Sequence, residues 1–344
     1  MVQNAGMTNA TPTANNRDAL IDSFLSQSGF KDAERQKLPS DASFRRYERV
    51  VSAGKTYMLM DAPPPKEDVR PFIHIAKHLK AQGFSAPTIL AEDTAQGFLL
   101  LEDLGNDSYT KLLQANAGLE EELYRHAIEA LVALHALPLP QPLAPYNAEK
   151  LLQEVMLLPE WLLPLIDKDK ATPEAAESYK AIWQPLIPKM LAEKPTLVLR
   201  DYHADNLMWL PERQGNKKVG MLDFQDALAG HTAYDLVSLL EDARRDVPRP
   251  LAEKMIRHYL SFMPKTDEKS FRTAYALLGA QRNCKILGIF ARLYVRDGKA
   301  NYLKYLPRVW AHVEHDLQHP SLAELKAWLE RYFSPDVRRT VPKV

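Results

Sequence analysis

Two short apolar runs, Thr196 to Leu199 and Val219 to Leu222, break a region whose other apolar residues recur at helical spacing. Both runs are strand-length with acidic residues at their ends, so a mostly helical body must admit two strands that deliver carboxylates into loops. Around them, helices are expected at about 108–114, 119–136 and 174–191, then at 233–244, 250–262, 271–295, 303–317 and 321–333. The first hundred residues have a different rhythm. A helix over 17–28 ends at Gly29, and strands at 43–52 and 56–60 enclose an Ala53-Gly54-Lys55 turn. After Pro63, Pro64 and Pro65 a helix over 67–82 and strands at 88–91 and 97–101 complete that segment. The fold class this predicts is α+β and two-lobed, with a small strand-rich lobe over 17–105 and a larger helical lobe over 106–344. The polar stretch 1–16 is expected to be a disordered tail.

Composition narrows the function. At roughly 150 residues per domain, a chain of 344 residues suits two lobes and excludes one small binding module. Lys plus Arg and Asp plus Glu are 44 each, which argues against a protein that grips nucleic acid or an anionic membrane through its overall field. No run reaches the roughly 18 apolar residues of a membrane helix, and residues 1–16 lack the apolar core of a signal peptide. Cys284 is the sole cysteine, so an intrachain disulfide and a C-x-x-C site are both excluded. A reducing, cytoplasmic compartment is the expectation, and no protein partner is legible.

Chemistry concentrates where the helical pattern breaks. Leu199-Arg200-Asp201-Tyr202-His203-Ala204-Asp205-Asn206 places an Asp five residues before an Asn, on a loop that leaves one strand and enters another. Such a loop can offer a carboxylate to a hydroxyl and an amide oxygen to a metal, the needs of phosphoryl transfer. In Gly220-Met221-Leu222-Asp223-Phe224-Gln225-Asp226, a second apolar strand delivers Asp223, 17 residues after Asn206. Hard oxygen ligands suit Mg²⁺, which takes one or two protein oxygens and completes its shell with water and phosphate. Each motif alone is weak, because strand-end aspartates often only start turns or cap helices. Together and in this order they point to a kinase-like site.

On these motifs, and on Asp41-Ala42-Ser43-Phe44-Arg45-Arg46-Tyr47, Leu59-Met60-Asp61-Ala62-Pro63-Pro64 and Leu101-Glu102-Asp103-Leu104-Gly105, the chain resembles the aminoglycoside phosphotransferase and choline kinase superfamily, relatives of the protein kinases. Within it, the chain most resembles the bacterial anomeric kinases of N-acetylmuramate and N-acetylglucosamine that serve peptidoglycan recycling. The likeness spans nearly everything after the tail. It implies a protein-kinase-like fold with ATP in a cleft, Asp201 as the catalytic aspartate, and Asn206 and Asp223 as Mg²⁺ ligands. It also implies a hinge at 102–105 whose backbone, at Glu102 and Leu104, pairs with adenine.

Three departures from the wider kinase pattern matter. Leu199 stands where many relatives have His, a change in packing. The strand Tyr57-Met58-Leu59-Met60-Asp61 lacks the lysine that kinases use to pair the nucleotide phosphates. Arg45 and Arg46 are the candidates to replace it, ahead of Lys55 in its exposed turn. The phosphate-covering loop, Pro39-Ser40-Asp41-Ala42-Ser43, contains no glycine; its small residues still let backbone N–H groups approach phosphate, with Ser40, Ala42, Ser43 and the following Phe44 as candidates, and taken alone it reads as an ordinary turn.

His203 and Asp205 lie inside the catalytic loop and either touch substrate or hold the loop's shape. Asp226 and Asp235 are expected to be structural, Asp235 at a helix start or as a brace for the loop. Trp161, between prolines, is the candidate for stacking on a sugar. From Glu241 to Ala300 there are 13 Lys and Arg against 7 Asp and Glu, an excess of 13 − 7 = 6 on a stretch expected to wall the acceptor. A polycationic aminoglycoside would call for carboxylates there, so the excess favours a neutral or carboxylate-bearing amino sugar, with Arg244, Arg245, Arg282 and Lys285 as contributors. The function expected is therefore an ATP- and Mg²⁺-dependent sugar 1-kinase. The alternatives are another small-molecule kinase, for aminoglycoside, choline or homoserine, and a nucleotide-binding pseudokinase.

Overall fold

The computed structural model describes residues 14–39, 44–192 and 194–342. Contacts divide the chain into two units, one made of residues up to Ile73 with Pro87–Asp103, the other of His74–Ala86 with Leu104 onward. The expected break at 105 thus falls at 103, and residues 74–86, expected in the first lobe, group with the second.

The first unit is an antiparallel sheet of five strands, β1 (Glu34–Lys37), β2 (Arg46–Ser52), β3 (Lys55–Asp61), β4 (Ile89–Asp93) and β5 (Phe98–Glu102), in the order β1-β2-β3-β5-β4. Ala53 and Gly54 both have positive φ, 50° and 73°, the backbone of a two-residue hairpin turn, so Lys55 pairs with Ser52 as the first residue of β3 and does not belong to the turn. That register sets Arg46 opposite Asp61. Helix α1 (Ala14–Gln27) lays Ile21, Phe24 and Leu25 against Val50, Leu59, Phe98 and Leu100. It begins three residues inside the expected tail, whose first 13 residues lie outside the described residues. Strand β1 was not expected: its sequence, Glu-Arg-Gln-Lys, has no apolar alternation, as suits an edge strand that faces solvent.

Helix α2 (Arg70–Ala81) contains the division between units. The second unit carries α3 (Tyr109–Ala115), α4 (Glu120–His135), α5 (Ala148–Val155), α6 (Leu163–Ile166) and α7 (Pro173–Trp183). Strands β6 (Thr196–Val198), β7 (Leu207–Trp209), β8 (Val219–Met221) and β9 (Leu228–Gly230) follow. Helices α8 (Ala233–Leu240), α9 (Arg249–Ser261), α10 (Glu268–Asp297), α11 (Leu306–Asp316), α12 (Ala323–Tyr332) and α13 (Pro335–Arg339) complete it. Helix α7 stops at Trp183 and not at 191, because Pro185 and Pro188 cannot continue it.

The spine is α10, 30 residues long, capped by the Asp267 carboxylate on Ser270 N at 2.8 Å and closed by Gly298 in the left-handed conformation. It packs on α5, α8 and α11. At Gly288 a side chain is impossible: a Cβ would sit 2.3 Å from the carbonyl carbon of Leu157, where a π-helical turn, Leu158–Leu162, presses on the helix. The two apolar runs form antiparallel ribbons, β6 with β9 and β7 with β8. Among the described residues, no helix is long and apolar enough to cross a membrane.

Candidate active site

The loop between β6 and β7 is held by its backbone. Asp235, fully buried in the first turn of α8, accepts from Leu199 N at 2.7 Å and Arg200 N at 2.9 Å. Ser238, one turn further on, donates to the Arg200 carbonyl at 3.0 Å. Arg200 has φ of 70°, a left-handed conformation that costs a non-glycine residue roughly 1–3 kcal/mol. The two bonds from consecutive amides to one carboxyl group hold the backbone in that conformation. The Arg200 guanidinium is itself anchored on Glu154 and on the Asp226 carbonyl, and the Tyr202 hydroxyl on the Ala127 carbonyl at 2.8 Å. Burial, reinforced by the nearby Asp201 charge, pushes the Asp235 carboxyl up to about 7 in spite of its N–H donors.

Asp201 follows this clamp. Burial raises its carboxyl, but the neighbouring cations, Lys285 first and then Arg200 and Arg282, outweigh burial and leave it below the ordinary aspartate value. It is therefore an anion at neutral pH and a weak base.

The Asn206 amide donates through Nδ2 to the Asp201 carbonyl at 3.0 Å, which fixes Oδ1 as the end available to accept or to ligate. Pairing of Leu207 with Met221, and the bond from Leu222 N to the Asn206 carbonyl at 3.0 Å, bring Asp223 beside Asn206. Asp223 also has positive φ, 57°, and accepts from Gln225 at 2.9 Å. Among the described residues no three His, Cys, Asp or Glu side chains group as a self-sufficient metal site. An amide oxygen and a carboxylate side by side are instead the donor set of an ion that shares its shell with phosphate and water, so the residues fit Mg²⁺.

Next to Asp201 lies a cavity of about 120 Å³, lined by Asp201, His203, Asp242, Ala243, Arg244, Arg282, Lys285, Ile286, Ile289 and Phe290. Positions 282, 285, 286 and 289 are one face of α10, an i, i+3, i+4, i+7 stripe. The charge count brought Arg244, Arg282 and Lys285 to notice, but the apolar wall, Asp242 and the anchoring Glu154 carried no sequence signal. Arg245 pairs with Glu120 and does not line the cavity. Trp161, half-buried in the π-helical turn, does not line it either. His203 is buried, with Nε2 facing the donors Asn206 Nδ2 at 3.3 Å and Arg244 Nη1 at 3.2 Å, which makes Nε2 the acceptor and assigns a ring proton to Nδ1. Asp205 takes the Thr110 hydroxyl and lies 3.7 Å from Arg244, so it ties the loop to α3.

In the first unit, Ser40, Ala42 and Ser43 lie outside the described residues. Phe44 is exposed, its N–H donating to Glu67 and its ring beneath the Lys66 ammonium at 4.5 Å. Arg45 lies 3.8 Å from the same Glu67. Arg46 is held by the buried Asp61, which also binds Arg17 at 2.6 Å, while the Arg46 side chain stays 45% exposed. The Glu102 carboxylate takes Thr88 N and Oγ1 at 3.0 and 2.6 Å, and Glu102 N donates to the Thr88 carbonyl. Leu104, in the second unit, packs with Met208, Leu210 and Leu222.

A five-stranded antiparallel sheet in one unit, and in the other a helical body that presents Asp201, Asn206 and Asp223 from strand ends, is the organisation of protein-kinase-like phosphotransferases. The chain belongs to the phosphotransferase enzyme family, whose sequence pattern matches residues 34–272. It is 40% identical to the N-acetylmuramate/N-acetylglucosamine kinase of Caulobacter vibrioides, over 94% of this chain and 98% of that one. It is also 40% identical to the enzyme of the same name from Pseudomonas putida, over 83% and 84%. Among solved structures, the choline kinase of Streptococcus pneumoniae matches with a TM-score of 0.63 and 12% identity, over 88% of this chain and 99% of that one. An aminoglycoside phosphotransferase in complex with gentamicin matches with a TM-score of 0.60 and 18% identity, over 88% and 97%. These structures share the fold. The kinase relatives imply ATP as the phosphoryl donor.

Proposed function

We propose that this phosphotransferase moves the γ-phosphoryl group of ATP to the anomeric hydroxyl of N-acetylglucosamine and N-acetylmuramate, giving sugar 1-phosphates. The observation that carries the reading is the cavity beside Asp201, where Arg244, Arg282 and Lys285 face Asp201 and Asp242, a balance that suits a neutral or anionic acceptor better than a polycation. The name borne by the relatives at 40% identity agrees with it.

Asp201 orients the sugar hydroxyl in line with the γ-phosphorus and takes its proton as the new O–P bond forms and the bond to ADP breaks. A carboxylate held below its ordinary pKa is a poor base, so it is suited to a hydroxyl more acidic than an ordinary alcohol, as the anomeric one is. Asn206 and Asp223 would hold Mg²⁺, which when bound neutralises the charge of the β- and γ-phosphates. Arg46 is the cation proposed for the nucleotide phosphates. Its carboxylate partner Asp61 leaves it partly exposed, much as a glutamate holds the lysine of other kinases. The backbone at Glu102 and Leu104 is proposed to read adenine.

ADP release measured across a panel of N-acetylglucosamine, N-acetylmuramate, choline, homoserine and an aminoglycoside tests the reading. Turnover should be confined to the two sugars. Asp201→Asn should lower it roughly 10²- to 10⁴-fold while nucleotide still binds, and Asp223→Asn should weaken Mg-nucleotide binding as well. Turnover of choline or the aminoglycoside with neither sugar consumed would replace the proposed acceptor.

A further inference from the structure

Arg282 stands apart from every other cation around the catalytic loop. It is 4% exposed and lines the cavity beside Asp201. Its Nη2 donates to the Ser238 hydroxyl at 2.9 Å, a neutral partner, while Nη1 is buried with no hydrogen-bond partner among the described residues. The neighbouring cations are all committed to carboxylates. Lys285 lies 3.4 Å from Glu154, Arg244 lies 3.7 Å from Asp205, and Arg245 is on Glu120. No carboxylate is in salt-bridge contact with Arg282 among the described residues, and the charges of Asp201, Asp235 and Glu241 act on it only at longer range, so its buried Nη1 is an unused donor that an incoming anion would satisfy.

A second donor shares the same walls. His203 lines the cavity, and its Nδ1, which carries a ring proton, is likewise buried without a partner among the described residues. The opposite wall, Ile286, Ile289 and Phe290, offers no polar side-chain atoms. A charge pair formed against that wall is screened less than one in water.

We propose that Arg282, with His203 Nδ1 as a second donor, is the specificity-determining subsite for a carboxylate carried by the acceptor sugar. This rests on the sugar-kinase reading above and adds to it the group that distinguishes N-acetylmuramate from N-acetylglucosamine, the lactyl carboxylate. The transferring phosphate is not the ligand of this subsite, because Asn206 and Asp223 do not line the cavity. At about 120 Å³ the cavity has room for a small polar group such as a carboxylate.

The test compares N-acetylmuramate, the same sugar with its lactyl carboxylate converted to the amide, and N-acetylglucosamine, in wild type, Arg282→Gln, Arg282→Lys and Ser238→Ala. In wild type the amide should lose the preference shown to the acid, a comparison that needs no mutation. In Arg282→Gln the ratio of kcat/KM for N-acetylmuramate over N-acetylglucosamine should fall roughly 10- to 100-fold, as for loss of a charged hydrogen bond. Arg282→Lys should recover part of it. Ser238→Ala, which cuts the link from Arg282 to the Arg200 carbonyl, should slow all three sugars alike and keep the ratio. An unchanged ratio in Arg282→Gln, or a wild type that treats acid and amide equally, overturns the proposal. Calorimetric binding of acid and amide to the nucleotide-free protein separates the two claims. Carboxylate-dependent binding without turnover sinks the kinase reading and keeps the subsite; equal binding of acid and amide sinks the subsite.

Discussion

Asp61 in the first unit and Asp235 in the second are both buried aspartates, and they are satisfied in opposite ways. Asp61 is gripped by two guanidiniums, Arg17 from α1 and Arg46 from β2. It is a charge cross-link between elements. Asp235 accepts from two backbone N–H groups, Leu199 and Arg200, with no cation in salt-bridge contact among the described residues, and its carboxyl is pushed up to about 7. Ion pairing would pull Asp235 toward a side chain; bonding to consecutive amides instead shapes the loop that presents Asp201. The first unit ties its buried aspartate to its own cations, whereas the second, although it pairs Lys285, Arg244 and Arg245 with carboxylates, holds Asp235 on backbone amides and Arg282 on a hydroxyl, which leaves Asp201 and Arg282 to meet a substrate.

The sharpest way to break this contrast is Asp235→Ala. It strands two buried N–H groups at roughly 1–3 kcal/mol each, so a stability loss of roughly 2–6 kcal/mol in urea unfolding is expected, with kcat falling more than the KM for nucleotide. Wild-type stability in that variant would mean that the loop holds its shape without the clamp.

A smaller effect comes from another buried group with a neutral partner, His135, whose ring nitrogen lies 2.8 Å from the Tyr259 hydroxyl and whose burial pushes its pKa down to about 3. The unfolded chain binds that proton near pH 6.5 and the folded chain does not, so the contribution of His135 is complete above about 6.5 and is lost as pH falls toward 3. Asp235 acts with the opposite sign, its raised carboxyl favouring the folded state as pH falls from 7 toward 4. Comparison with His135→Gln isolates the histidine: the stability gap between wild type and variant should narrow by about 2 kcal/mol from pH 7 to pH 5. Parallel stability curves would show that His135 takes up its proton in the fold.

Least in energy, but aimed at the first unit's pair, is Arg46→Ala. Asp61 keeps Arg17, and Arg46 is half exposed, so the stability loss should be only about 1 kcal/mol. The KM for ATP should nevertheless rise about tenfold, as for one charge-assisted phosphate contact. A lost stability with unchanged KM would make Arg46 a cross-link and nothing more.

Much of this was legible in the sequence for a stated physical reason. Apolar runs of four residues followed by polar residues are too short for a helix of ordinary length, so β6 and β8, and the loops after them that carry Asp201 and Asp223, were readable as strands and loops. Helix α10 was legible from its periodicity. Asp235 was readable as a brace because it begins a helix, but its choice of Leu199 and Arg200 as partners depends on 36- and 35-residue separations that no local pattern encodes. The charge excess over 241–300 marked Arg244, Arg245 and Arg282 alike, since composition cannot say which cation meets a carboxylate of its own chain. Strand β1 was missed because an exposed edge strand needs no apolar face.

The central claim is that the loop of Asp201 directs the phosphoryl group to the anomeric oxygen. Phosphorus NMR of the product formed from ATP and N-acetylglucosamine measures this directly, with the 1-O-methyl glycoside as the blocked control. The account predicts a sugar 1-phosphate resonance coupled to the anomeric proton and no product from the glycoside. A 6-phosphate, or phosphorylation of the glycoside, would contradict it.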